Sequence, residues 1–299
     1  MKFLDNILFQ VDNTEKEQLI VGRNINDLDD KYTEEFNQEL ERDPNAIIHM
    51  PRSFFDHNQD ILVSKHHRFS VMPTHKHNFV EMNYIYSGNC TQYINDETVL
   101  LHEHSLLMLD KNISHSIDYM NKDDILVNIL LKDGNSINSI LDTISSSPNI
   151  VTQFLFNASK IDSIHDNYII FNLDNNEYAQ YLIESLIYKG LGNDLDKNNA
   201  MHALYSLLVP ELVKCVQSEL INFNTYKNQD TVQLLNYINQ NYKSITLPQL
   251  AKKFKYNSNY LGNKLKVDTG KTFQELVDMR KFAVASQLLK EIHKSLHIL

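Results

Sequence analysis

Two cysteines in 299 residues, Cys90 and Cys215, leave no basis for a disulfide framework. They fall far apart, in segments that read as strand and helix, and neither belongs to a CxxC pair. Both are expected to be reduced thiols. Long apolar runs are missing too: the longest, at 125–131 and 204–210, fall far short of the ~18 residues that a membrane span requires. The opening residues, Met1-Lys2-Phe3-Leu4-Asp5, carry no apolar h-region or small-residue cleavage site, so the expected location is the cytoplasm. There is no internal repeat. Positive charge is scarce overall, with a net charge of −10. Its distribution is uneven: residues 228–299 hold eleven Lys/Arg against five Asp/Glu, whereas the rest holds 17 against 33. A basic tail behind an acidic body fits a segment that meets phosphates, although a basic helical surface is also commonly just a solvated face.

The length suggests about two domains. Residues 1–60 read as an acidic N-terminal extension, mobile or accessory, with one short helical stretch at 34–43. From Ile61 the texture changes to short apolar runs between turn residues, at 61–65, 67–72, 80–88, 90–95, 98–102, 105–110 and 125–132. So many strands in so few residues imply a small β-barrel or sandwich, with 164–174 as the return strand, giving a domain over 61–174. The chain between 136 and 156 reads as helical or irregular. Two helical patterns follow at 176–191 and 199–223, within a helical region spanning 175–227. Leu204, Leu207, Leu208, Leu212 and Val216 form an apolar stripe on the second, which either packs on the barrel or forms a dimer seam. Homodimerisation through these helices is expected, and Pro210 should kink or break the second one. The polar stretch 222–230 leads to a last region, 228–299. The fold class is therefore α+β: an N-terminal barrel, dimerisation-type helices, and an all-α C-terminal region.

Chemistry concentrates first at His75, His77 and Glu81. Side chains on a strand alternate with period two, so HxH puts both imidazoles on one face, and Glu81 lies at even spacing from them. His115, beyond a turn at 110–114, can add a fourth group from a facing strand. His75-x-His77-x3-Glu81-x6-Gly88 resembles the first cupin motif, and 104–115 is a reduced form of the second. His104 stands where cupins usually carry a glycine, and Asp110 and Asn112 replace the usual Pro and Gly. In cupin enzymes the matching residues hold a first-row metal with open positions. The resemblance thus implies either an effector pocket built from His75, His77, Glu81 and His115, with no cofactor or with a divalent metal at those residues, or, as the alternative, a metal-dependent oxygenase or isomerase. Sensor domains keep this fold without its chemistry, and the non-enzymatic reading is preferred.

The second constellation lies at 245–289. Thr246 before Leu247 and Pro248 suits a capped helix with an inward rhythm at Leu247, Leu250, Ala251 and Phe254. A tight turn at Lys255-Tyr256-Asn257 precedes a second helix with Leu261 and Leu265 inward and Ser258, Asn259, Gly262, Asn263 and Lys266 outward. Any αα-hairpin could show part of this pattern, yet it is also the geometry of a helix-turn-helix. Leu247, Leu250, Ala251, Tyr260, Leu261, Lys266, Thr269, Gly270, Lys271, Phe273 and Arg280 together resemble the DNA-binding region of the AraC/XylS family. Lys255 occupies a place where that family often has Gly, and Lys264 one that is usually apolar.

The resemblance implies a transcription regulator whose barrel senses a small effector and whose partners are that effector, DNA and a second copy of the chain, with no membrane. Ser258, Asn259, Asn263, Lys266 and Lys271 are its expected DNA-binding residues. Family members carry two helix-turn-helix units joined by a long helix, here 280–290. Only residues 291–299 follow it, so the chain reads as truncated, with impaired DNA binding expected.

Overall fold

The computed structural model describes residues 2–21, 47–50, 55, 59–95, 97–132, 137, 150–159, 168–194, 197–219, 229–269, 271–282 and 285. The expected helix at 34–43, the polar stretch up to residue 228, Gly270 and most of the linker helix at 280–290 lie outside them.

Among the described residues, ten strands form two five-stranded sheets. In chain order they are β1 (Ile48–Met50), β2 (Ile61–Lys65), β3 (Met72–His77), β4 (Val80–Ser87), β5 (Asn89–Ile94), β6 (Glu97–His102), β7 (Ser105–Leu109), β8 (His115–Ile117), β9 (Ile125–Leu131) and β10 (Tyr168–Asn172). One sheet runs β1-β3-β8-β5-β6 and the other β10-β7-β4-β9-β2. The second sheet is buried on both faces, which is why β7 and β9 are almost unbroken apolar runs. Along β4, Val80, Met82 and Tyr84 join the core under the helices, while Ile85 joins Leu107, Leu109 and Leu126 between the sheets. Glu81 and Asn83 share the parity of Ile85 and so face the barrel interior. The first sheet has a solvated outer face, and its β6 alternates accordingly.

The expected strand at 67–72 is not formed. Residues 68–70 turn instead, and β3 begins at Met72. The reason lies in the N-terminal segment, helices α1 (Lys2–Leu8) and α2 (Asn13–Val21). Rather than standing apart, this segment is packed on the barrel: Leu4 and Leu8 are buried in the main core, and Glu15 is fully buried against Arg68. Arg68 Nε and Nη2 each donate to a Glu15 carboxylate oxygen at 2.7 Å, while its remaining donors reach the carbonyls of Lys122, Phe9 and Gln10. Lys65 Nζ adds contacts at 2.9 Å to Glu15 and 3.1 Å to Asp12. Turning the chain at Arg68 lets a buried guanidinium be satisfied in fork geometry.

Three helices cover the outer face of the second sheet: α3 (Ile150–Ser159), α4 (Glu177–Leu191) and α5 (Lys197–Glu219). Asn176 caps α4 by accepting from Ala179 N at 3.0 Å. The buried positions of α4, Ala179, Leu182, Ile183, Leu186, Ile187 and Gly190, repeat at three and four residues. A β-carbon on Gly190 would come within 2.3 Å of Val63 Cγ2, so α4 lies directly on β2 only because that residue is glycine. Helix α5 runs through Pro210 without a break. Leu208 and Leu212 are fully buried in the main core, and Leu204 packs against it. Of the two readings of that stripe, the barrel-packing one is correct, since these leucines cover the second sheet's outer face. Cys90 and Cys215 sit in β5 and α5 as free thiols.

Candidate functional site

His75, His77, Glu81 and His115 come together inside the barrel. Each is 5% exposed or less. Strands β3 and β8 pair in a register that sets His75 directly opposite His115, with ring centroids 4.2 Å apart. Glu81 reaches the pair from β4 in the facing sheet, and the nearest ligand atoms of His75, Glu81 and His115 all lie within 4.8 Å of one another. His77 Nε2 is 3.1 Å and His115 Nε2 is 3.7 Å from Glu81 Oε2, yet neither makes a well-directed hydrogen bond.

The other ring nitrogens are anchored. His75 Nδ1 lies 2.9 Å from the Pro73 carbonyl, His77 Nδ1 lies 2.7 Å from the Phe79 carbonyl, and His115 Nδ1 faces Gln92 Oε1 at 3.5 Å. A carbonyl can only accept, so each Nδ1 carries a proton in these contacts, and the Nε2 atoms of His77 and His115 are the ones turned towards the carboxylate. Behind these groups runs a buried amide network. Asn83 Nδ2 donates to Glu81 Oε1 at 2.8 Å and to Asn128 Oδ1 at 2.9 Å, and Gln92 Nε2 donates to Asn83 Oδ1 at 2.9 Å. Asn83, Gln92 and Asn128 are not titratable, and their signal in the sequence is only a polar residue at an inward position of an otherwise apolar strand.

Burial holds the His75 imidazole down at about 4 despite the nearby Glu81, and burial also holds His115 well below its ordinary value. For Glu81 burial acts the other way. It is outweighed by the close contact of His77 and the fields of His115, His77 and His75, which keep the carboxyl well below the usual carboxylate range.

Beside the cluster is a cavity of about 270 Å³, small for a ligand pocket. His75 and Glu81 line it; Met50, Leu62, Met72, Phe79, Ile117 and Leu130 give it apolar walls, and Ser64, Lys65, His66, His67, Ser70 and Asn128 a polar side. Its polar side adjoins the N-terminal segment, because Lys65 and His67 both contact Asp12.

The C-terminal helices have their own core. Helices α6 (Gln229–Asn241), α7 (Leu247–Lys253), α8 (Ser258–Thr269) and α9 (273–282) meet through Leu234, Ile238, Leu250, Ala251, Leu261, Leu265 and Leu276. Thr246 caps α7 in a reciprocal box with Gln249, and Pro248 is early in the helix, as expected. Asn257 caps α8, accepting from Asn259 N at 2.9 Å. Gly262 sits at the crossing, where a β-carbon would lie 3.3 Å from Leu247 Cδ2. Asn259, Asn263 and Lys266 are exposed on the outer face, and Ser258 is partly so. Lys271 is engaged within the chain, its ammonium 5.9 Å from the centroid of the Phe156 ring on α3.

At three places where the resemblance leads one to expect glycine, the chain holds another residue in a left-handed conformation: His104 at φ 61°, Asn112 at 58° and Lys255 at 59°. The turn is kept and the strain accepted. Lys255→Gly should accordingly raise the stability of the C-terminal helices by ~1 kcal/mol, read as a shift in the denaturant midpoint at unchanged slope. A loss of stability instead would show that the lysine side chain contributes more than the strain removes.

The described chain thus combines a β-barrel, with a buried histidine–carboxylate cluster beside a small cavity, and a capped helix pair with a polar outer face. Residues 60–189 match the family model described as the AraC-like ligand binding domain. A curated relative, the HTH-type transcriptional activator RhaS of Mannheimia succiniciproducens, is 26% identical over 256 residues, covering 83% of this chain and 86% of its own. Crystal structures of ToxT from Vibrio cholerae resemble the fold at 13% identity. A ligand-free single-site variant gives a TM-score of 0.40 over 78% of this chain and 84% of its own, and the unsaturated fatty acid-bound wild type 0.36 over 77% and 80%. Residues 60–189 are therefore similar to the AraC-like ligand binding domain, and most of the chain is similar to an HTH-type transcriptional activator.

Proposed function

We propose that this chain is a transcription regulator of the AraC type that binds a small effector in the cavity beside His75 and Glu81 and reads DNA through α8. The reading rests above all on α8 itself. Its inward Leu261 and Leu265 are fully buried, while Asn259 and Asn263, one helical turn apart, are open to solvent with Lys266 beside them. Exposed amides at that spacing suit bidentate contacts to adenine edges in a major groove, and an exposed lysine suits phosphate. Lys271 joins the interface only if it leaves the Phe156 ring. The relative aligned over most of the chain is a transcriptional activator.

The chain acts as a cytoplasmic homodimer in this reading. No helix among the described residues is long and apolar enough to cross a membrane. Because Leu208 and Leu212 are used inside the chain, self-association on these helices would use exposed apolar residues such as Tyr178, Tyr181 and Tyr188 of α4 and Leu207 of α5. With Lys266 on its exposed face, α8 meets phosphates through charge, so DNA binding should fall as salt rises.

Fluorescence anisotropy with labelled duplexes, titrated with salt, tests the DNA reading. Asn263→Ala should cost about 1–3 kcal/mol on the preferred site and relax preference at one base pair. Lys266→Ala should weaken all duplexes alike and reduce the salt slope by about one. Equal effects of the two variants on every duplex would remove α8 from the role of recognition helix.

A further inference from the structure

The walls of the cavity are of two kinds. Met50, Leu62, Phe79 and Leu130 belong to one apolar cluster, and all four line it. With them stands Glu81, the one carboxylate among the described lining residues. Its two oxygens differ in what meets them. Oε1 accepts from Asn83 Nδ2 at 2.8 Å, whereas Oε2 has Nε2 of His77 at 3.1 Å and of His115 at 3.7 Å, neither in a well-directed hydrogen bond. A buried carboxylate is costly until a counter-charge and directed donors meet it.

The cations nearby serve other acids. Lys65 is the one lysine or arginine among the described lining residues, and its ammonium is held by Asp12, Glu15 and the Gln10 carbonyl, while Arg68 is held by Glu15. Two cations thus answer Asp12 and Glu15, and the Glu81 carboxylate is left in excess over lysine and arginine charge. Burial holds the His75 and His115 imidazoles below their ordinary range, so neither ring supplies that charge at neutral pH. A ligand carboxylate would be repelled by Glu81, and a neutral head would leave its charge unmatched. An ammonium brings three donors, no acceptor and the missing charge. We infer that the effector is a small primary amine with an apolar body, its ammonium bound at Glu81 Oε2 beside His75 and its hydrocarbon laid along Met50, Leu62, Phe79 and Leu130. This assignment rests on the effector-pocket reading above. The volume of about 270 Å³, below the ~300 Å³ at which pockets for drug-sized ligands begin, keeps that body short.

The test uses the whole chain with chelator present and three probes that share a body and differ in head: hexylamine, 1-hexanol and hexanoate. Isothermal titration calorimetry and the melting temperature are read for each. Hexylamine should bind and raise the melting temperature, with 1-hexanol at least tenfold weaker and hexanoate weaker still. The near-isosteric Glu81→Gln should lower hexylamine affinity at least tenfold and abolish its preference over 1-hexanol, with far-UV circular dichroism confirming that the variant is folded. Leu62→Phe, which narrows the cavity and keeps its charge, should weaken hexylamine while preserving that preference. Hexylamine bound equally well by Glu81→Gln would be an adventitious cation on an acidic surface and overturns the proposal, as does no binding at millimolar concentration. Hexanol or hexanoate bound as tightly as hexylamine, with affinity lost in Leu62→Phe, overturns the amine class and leaves the effector pocket standing. DNA anisotropy on the same samples reports separately on the regulator reading, since none of these ligand results depends on it.

Discussion

Arg68→Ala should lower the stability of this chain by ~3–5 kcal/mol, the usual cost of removing one partner from a buried ion pair. Glu15 would be left fully buried without its bidentate partner, and the Lys122 and Phe9 carbonyls would lose this donor, while that of Gln10 keeps Lys65. Urea unfolding measures the loss, and limited proteolysis should show the first 21 residues cleaved ahead of the barrel. The pH dependence follows with a definite sign. Burial alone would raise the Glu15 carboxyl, but hydrogen bonds from Arg68 and Lys65 and the Lys65 charge hold it at about 2, against an ordinary 4.5. A depressed acid stabilises the fold fully above its unfolded value and loses that contribution as pH falls through its folded one. The wild type should thus be stable with respect to this group down to about pH 4.5 and lose ~3 kcal/mol between there and pH 2, at about 1.36 kcal/mol for each pH unit separating the two values. Arg68→Ala should be much flatter over that window. A cost below ~1 kcal/mol, or an unchanged acid limb, would mean the N-terminal segment is held by Leu4 and Leu8 rather than by the ion pair.

Leu208→Ala should cost about 2–5 kcal/mol, because the side chain is wholly buried where α5 meets the barrel and truncation leaves a cavity. Sedimentation of the variant should match the wild type at equal concentration. Leu207→Ser, one residue along and 53% exposed, should be nearly neutral for stability. Should Leu208→Ala dissociate an oligomer while leaving the melting temperature in place, the leucine stripe would be an interface after all.

Much of the architecture could be read from local pattern. The HxH spacing placed His75 and His77 on one face because alternation along a strand is a local rule, and Glu81 followed by the same parity. Thr246 and Asn257 could be recognised as caps because a cap acts within its own first turn. The stretch at 67–72 misled for the opposite reason: its apolar content fits a strand, but Arg68 is governed by Glu15, 53 residues earlier. The amides of Asn83, Gln92 and Asn128 were equally hidden, since each is unremarkable alone and acquires a role only when three strands bring them together.

The sequence by itself determined what depends on near neighbours: strand and helix periodicity, the caps of the C-terminal pair, the inward parity of His75, His77 and Glu81, and the charge contrast between tail and body. The tertiary structure decided which apolar faces meet. Hydrophobic burial is non-directional, so the stripe at Leu204, Leu208 and Leu212 could satisfy a second copy or its own barrel equally well until the helices were seen to cover the second sheet. It also decided that Glu15 is interior, because a buried carboxylate is stable only where distant cations converge on it, as Lys65 and Arg68 do here.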